Sequence, residues 1–244
     1  MNRLLADVMA RADVWRGDAL AAAPVPALPT GFAALDAELP GGGWPRGQLT
    51  ELLHAHGAIG ELTLLLPVLV RLTAAGEAVM LIAPPAARRL HAPAWVAAGV
   101  RLEHLYLLFP QRPRDVLWAA VEALRCPAVK AALVWLEPDR RGGLAANGLR
   151  RLHLAAGEGG GCGFLFRSAA CAAQSSPAPL RLHLGAGSGT RLRVEILKRR
   201  GLPARRALEL AVARPAGPGP DFGTVHALAG AVPADRRDFA ALGA

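Results

Sequence analysis

At 244 residues and 52% apolar side chains, the chain has the material for one substantial core, which excludes a natively disordered segment. No apolar run reaches the ~20 residues that cross a bilayer, since the longest, from Leu62 to Leu72, is broken by Pro67 and Arg71. The net charge of +9 is carried almost wholly by arginine, with lysine only at Lys130 and Lys198; guanidinium forks suit phosphate, but the codon bias of a GC-rich genome gives the same excess, so charge alone assigns no partner.

In chain order, Leu4, Leu5, Val8, Met9, Ala12 and Trp15 fall on one stripe, so residues 4–15 predict an amphipathic helix, and the charges threaded through it exclude a signal peptide. Residues 21–31, AAAPVPALPTG, predict an extended linker, because each proline biases its predecessor away from helix. There follow a strand at Leu49–Leu53, a helix at Leu62–Ala75, a strand at Ala78–Ala83, a helix near Ala92–Ala98 and a strand at Leu105–Phe109. A helix at Arg114–Leu124, a strand at Ala131–Leu136, a helix at Ala145–Ala156 and a strand at Cys162–Ser168 complete the alternation. Strands alternating with helices imply βαβ units and a mainly parallel sheet. Residues 179–185 and 190–201 then alternate at period two on either side of AGSG, which predicts an antiparallel hairpin, with a further strand at Ala207–Ala213. The expected class is therefore α/β: a mainly parallel central sheet flanked by helices, with a C-terminal antiparallel hairpin. The expected division is an N-terminal helix or arm (1–23), one domain (24–213) and a flexible C-terminal tail (214–244). Trp95, Trp118 and Trp135 fall on apolar faces and are expected in the core. Cys126, Cys162 and Cys171 are odd in number and lack metal-ligand spacing, which suits a reducing cytoplasm.

The stretch HAHGAIGELTL, residues 54–64, follows a strand and precedes a helix, where a phosphate loop belongs. Such a loop reads G-x-x-x-x-G-K-[S/T]: backbone N–H groups cradle phosphate, the lysine reaches the β/γ oxygens and the hydroxyl binds Mg²⁺. With Gly60 as the second glycine, Ala55 stands for the first, Glu61 for the lysine and Leu62 for the hydroxyl residue. One residue earlier these become His54, Ile59, Gly60 and Glu61, so neither register works. Gly57 remains inside the loop, and Thr63 offers a hydroxyl one residue late. Glutamate for lysine turns an attraction of roughly 4 kcal/mol (~4 Å, effective dielectric ~20) into repulsion.

Thr30, Gly31, Leu35, Asp36, Leu39, Gly42, Gly43, Pro45, Gly47 and Glu51 form a spaced pattern that resembles the entry to the ATPase core of RecA-type recombinases. DVWRGD (13–18), LPGGGWPRGQLTELL (39–53) and CGFLFRS (162–168) narrow the resemblance to the ImuA family, RecA-like proteins encoded with mutagenic translesion-synthesis genes. The cell-division inhibitor SulA is a more distant likeness that also lacks ATPase chemistry. The resemblance runs to about Ala213 and implies a RecA-like core with a degenerate P-loop.

It also assigns expected roles. Pro84 and Pro85 stand where the recombinases carry a water-activating glutamate, and Glu137 is the vestigial Walker B acid, although a lone acid at a strand end also reads as a cap or salt-bridge partner. Lys198 and Arg200 match cations that reach a neighbour's nucleotide across a filament interface; an ordinary basic strand exit is the competing reading. Leu4, Leu5, Val8 and Trp15 are candidates for packing on an adjacent subunit, or on their own core. The DNA-facing loops would be 139–151 and 168–179, with Arg140, Arg141, Arg150 and Arg151 as candidates for weak, non-base-specific phosphate contact. His54 and His56 lack a third metal ligand, and Ser168 and His183 form no nucleophile motif. The expectation is thus of no catalysis, no cofactor, no metal and no membrane partner. The implied function is that of an accessory protein in damage-induced translesion synthesis (SOS mutagenesis), binding an ImuB-type Y-family polymerase homologue, an error-prone replicative-type polymerase and RecA. The alternatives are a SulA-like inhibitor of FtsZ and a residual ATP-binding repair ATPase.

Overall fold

The computed structural model describes residues 26–55, 61–84, 92–136, 146–201, 203 and 206–212. In chain order the elements are β1 (Ala27–Leu28), α1 (Ala33–Asp36), β2 (Trp44–Pro45), β3 (Gln48–His54), α2 (Leu66–Ala74), β4 (Ala78–Ile82), α3 (Ala92–Ala97) and β5 (Leu105–Leu108). They continue with α4 (Pro113–Arg125), β6 (Val129–Trp135), α5 (Ala146–Gly159), β7 (Cys162–Ser168), β8 (Leu180–Ala186), β9 (Arg191–Lys198) and β10 (Leu208–Ala211). Eight strands form one sheet in the order β5-β4-β6-β7-β3-β8-β9-β10. The pairings from β5 through to β8 are parallel, and β9 and β10 are antiparallel additions. The protein is α/β, with a mainly parallel sheet flanked by helices and a C-terminal antiparallel hairpin.

The strand order decides where the helices lie. α2 and α3 lead toward the β5 edge, whereas α4 and α5 lead back from it, so right-handed crossovers put the two pairs on opposite faces. The core divides accordingly. On one face Leu52, Phe164, Phe166, Leu182 and Val194 pack with Leu35, Val68, Leu69 and Trp95. On the other, Leu49, Val134 and Leu165 pack with Val116, Ala120, Leu124, Leu149 and Leu152. The buried runs of β3, β6 and β7 are the near-continuous apolar stretches that a sheet covered on both faces requires.

Three expectations are corrected. The helix predicted from Leu62 begins at Leu66, because Pro67 fits the first helical turn and residues 61–65 form turns ahead of it. The predicted extended linker is extended at Ala27 and Leu28 but is there a strand of a small sheet and not a plain connection, pairing with Pro45 and Trp44. Gly43 permits that pairing, since a Cβ there would lie 2.1 Å from the Leu28 carbonyl oxygen. Trp118 is 59% exposed on the outer side of α4, whereas Trp95 is buried. The period of α4 is carried by its alanines and valines, and the tryptophan falls outside their stripe. The N-terminal helix (4–15), the arm (1–23) and the tail (214–244) lie outside the described residues.

The pattern Thr30–Asp36 has a local structural purpose. The Thr30 backbone N–H donates to Asp36 Oδ1 at 2.8 Å, and the Phe32 N–H donates to Thr30 Oγ1 at 3.0 Å. Gly31 sits at φ +89° with its α-carbon against Pro67, where a Cβ would lie 2.3 Å from the proline ring. The motif thereby ties the entry segment to the start of α2.

Candidate functional site

Parallel strands bring their carboxyl ends to one edge, and open α/β sheets bind ligands along that edge. Here the edge is made by His54, Ile82, Trp135 and Ser168, the last residues of β3, β4, β6 and β7. Gly57, Gly60, Pro85, Glu137, Arg140 and Arg141 belong to the segments that follow these strands in the chain and lie outside the described residues, as do His56 and the N-terminal candidates Leu4, Leu5, Val8 and Trp15. Glu61, Leu62 and Thr63 are half-buried in the turns before α2, and Leu62 packs against the α2-side core. In the register read from the sequence, the lysine position of a phosphate loop would hold the carboxylate of Glu61 and the hydroxyl position the core-packed Leu62.

The same edge carries an aromatic ladder. Trp135 stacks on Phe166 with ring centroids 4.3 Å apart and 4° between planes, and His54 meets Phe166 edge-on at 6.2 Å. His54 Nδ1 lies 2.9 Å from the Ala55 carbonyl oxygen. Among the described residues no group of three or more His, Cys, Asp or Glu is placed to hold a metal ion, and no helix is long and apolar enough to cross a membrane.

A buried polar network, which sequence reasoning missed, lies beneath this edge on the α4/α5 face. Glu51, in the middle of β3, is fully buried. Arg167 Nη1 donates to Glu51 Oε1 at 3.1 Å, Arg181 Nε donates to Oε2 at 2.7 Å, and Ser176 Oγ donates to Oε1 at 2.6 Å. Arg167 and Arg181 are themselves buried, on the strands that flank β3. Their remaining donors reach into the segment after β7: Arg167 Nη2 to Gln174 Oε1 at 2.9 Å, and Arg181 Nη1 and Nη2 to the carbonyls of Ala172 and Cys171 at 3.1 and 2.9 Å. Lys198 Nζ donates to the Ser176 carbonyl at 2.9 Å. Segment 168–179, read from sequence as a DNA-facing loop without charge, is thus held on its inner side by Arg167, Arg181 and Lys198. Two guanidinium groups share one carboxylate, so the cluster carries a surplus of positive charge. The sequence signal was Glu51 inside an otherwise apolar strand, a residue type almost never fully buried unless paired.

Lys198 and Arg200 have different surroundings. Lys198 pairs with Arg181 across a bulge at Leu197 that turns it to the α5 face. There it lowers the pKa of His153, whose burial contributes the larger part of the downward shift. Arg200 is exposed and borders a small depression with Pro40, Gly43 and Pro45. Between them Arg199 donates to the Glu38 carboxylate at 2.7 Å and to the Glu38 carbonyl. Arg150 and Arg151 are exposed in the first turns of α5. Ser168 Oγ accepts the Ala170 N–H as a local cap, and His183 Nδ1 lies 3.9 Å from Glu195 Oε2, so the two share no catalytic geometry.

At the far edge, β5 pairs on one side only among the described residues. Tyr106 and Leu107 of β5 are exposed, as are Val96 on α3, Leu102 in the turn before β5 and Trp118 on α4. No protein-family model matches the chain, and no curated protein sequence matches it.

Proposed function

We propose that the chain is a non-catalytic, RecA-like docking protein of damage-induced translesion DNA synthesis, whose partners are an ImuB-type Y-family polymerase homologue, an error-prone replicative-type polymerase and RecA. The fold would serve as an interaction surface, its phosphate loop having become degenerate. The observation that carries the docking reading is the open edge at β5. Isolated exposed apolar residues are ordinary, but here an edge strand exposes Tyr106 and Leu107 while its flanking elements expose Val96, Leu102 and Trp118. Glu61 and Leu62 support the absence of ATP chemistry, since a carboxylate at the lysine position repels the triphosphate.

Binding titrations with the polymerase homologue and with RecA, the latter with and without ATP and single-stranded DNA, test the proposal. Tyr106→Glu with Leu107→Glu should weaken partner binding at least tenfold; unchanged affinity, or binding to FtsZ instead, would overturn it. ATP turnover that is abolished by Glu137→Ala would overturn the non-catalytic part.

A further inference from the structure

The connection from β7 to β8 is built unlike the other crossovers of the sheet. β7 and β8 lie on either side of β3, so residues 169–179 cross β3 on the face that carries Glu51. A crossover between parallel strands usually contains an α-helix, whose apolar stripe seals it to the sheet. Here it is a strap with a single 3₁₀ turn at Ala169–Cys171, and only Cys171 and Ala178 in it are buried. Local bonds shape the strap: the Ala172 N–H donates to the Ala169 carbonyl, the Gln174 N–H to the Cys171 carbonyl and the Ala178 N–H to Ser176 Oγ. Buried charge holds it down, since Arg181 reaches the Cys171 and Ala172 carbonyls and Arg167 reaches Gln174 Oε1.

That charge is out of balance. Among the described residues Glu51 is the one carboxylate within ion-pair distance of Arg167 and Arg181, and residues 169–179 carry no charged side chain. Both oxygens of Glu51 are engaged, Oε1 with Arg167 and Ser176, and Oε2 with Arg181. Arg181 uses three of its N–H donors and Arg167 only two, which leaves most of the Arg167 fork without an acceptor among the described residues. Arg167 is nevertheless only 5% exposed. The group on its outer side, Gln174, is exposed and neutral. Its amide oxygen lies 2.9 Å from Arg167 Nη2, where a carboxylate oxygen would accept a stronger, charge-assisted bond. The planar amide occupies the place of one end of a carboxylate, the group that a guanidinium fork pairs with bidentately.

We propose that Arg167, beneath the exposed Gln174, is a recognition site for a carboxylate from outside the fold, the side-chain acid of an acidic peptide segment. The incoming carboxylate takes the position of the Gln174 amide oxygen and supplies the second anion that Arg167 and Arg181 lack.

Gln174→Glu places that anion within the chain and so tests the site in two ways. It should raise the thermal midpoint by about 2–4 °C, because a charge-assisted bond replaces a neutral one on a buried cation. It should also weaken the binding of a labelled hexaglutamate peptide to the full chain at least tenfold in fluorescence anisotropy, since the site is then filled. Gln111→Glu, a change of equal charge on the exposed loop before α4, should leave peptide binding within about twofold of the parent, given the screening of exposed charges. A lowered or unchanged midpoint for Gln174→Glu would overturn the proposal, as would absence of peptide binding or an equal loss in both variants. Inorganic phosphate that displaces the peptide better than acetate at equal ionic strength would assign the site to phosphate and overturn the carboxylate reading. Failure of the docking reading at β5 leaves these outcomes unaffected, because Tyr106 and Leu107 take no part in them.

Discussion

Glu51→Gln is the sharpest perturbation of the interior. The substitution keeps the shape of the side chain but removes the one negative charge shared by Arg167 and Arg181, all three of which are buried. The substituted amide would offer one acceptor oxygen in place of two, and its NH₂ would face a guanidinium donor instead of accepting from it. Breaking a buried ion pair by removing one partner costs about 3–5 kcal/mol, because the other charge stays buried without compensation. Two arginines depend on Glu51, so the upper part of that range is expected. The total stability of a domain is roughly 5–15 kcal/mol, so a large share of it is at stake. At about 2–4 °C per kcal/mol for a domain of this size, the thermal midpoint should fall by about 6–20 °C. Circular dichroism or differential scanning calorimetry reads the shift. A second variant, Glu51→Leu with Arg167→Met and Arg181→Met, should recover most of the loss, since apolar residues of similar volume replace a buried ionic cluster at little cost. A midpoint within about 2 °C of the parent for Glu51→Gln would mean that water reaches the cluster, and the cost assigned to its desolvated charges would then be wrong.

Three further outcomes follow from the packing. Burial pushes the Cys162 thiol up to about 12, against a small opposing pull from Arg46. Its neutral form is the one favoured by folding, so its contribution to stability is complete below the unfolded thiol pKa of ~8.5 and declines as pH rises from there toward about 12. At neutral pH an alkylating reagent should label the exposed Cys126 first and leave Cys162 until the chain unfolds, as mass spectrometry of native labelling would record; early Cys162 labelling would contradict its burial. His153 should titrate below the ordinary histidine range in an NMR titration, its burial outweighing the effect of Lys198. Its contribution to stability is complete above the unfolded pKa of ~6.5 and is lost as pH falls through the depressed folded value. Lys198→Met should raise the His153 pKa without restoring it fully; complete restoration would reverse the order of the two causes. Gly43→Ala should destabilise by about 1–3 kcal/mol in urea unfolding, because the new methyl meets the Leu28 backbone and not a movable side chain. A neutral result would show that β1 separates from β2 at little cost.

The sequence made the sheet legible through its periods. Continuous apolar runs such as 129–135 and 162–168 read as strands covered on both faces, and the alternation in 190–201 read as a half-covered hairpin. The start of α2 was misplaced because Leu62, Leu64 and Leu65 continue the apolar run through a turn, and hydrophobicity does not distinguish a turn packed on the core from a helix doing the same. Trp118 escapes a composition-based reading because the stripe of α4 is set by Val116, Ala120 and Leu124, and one tryptophan beside it does not shift that stripe. Glu61 and Leu62 were legible as departures from a phosphate loop, since that pattern is local. The Glu51 network was not, for its members stand 116 and 130 positions apart in the chain.

Composition and periodicity by themselves therefore determined the class of fold, the order of its elements and the failure of residues 54–64 to match a phosphate loop, because each of these is written in neighbouring residues. Only the tertiary structure decided which distant charges meet. Strand order places β7 and β8 on either side of β3, and register sets Arg181 directly across from Glu51. That juxtaposition converts a solitary buried acid, which alone would be prohibitively unstable, into the centre of a satisfied network.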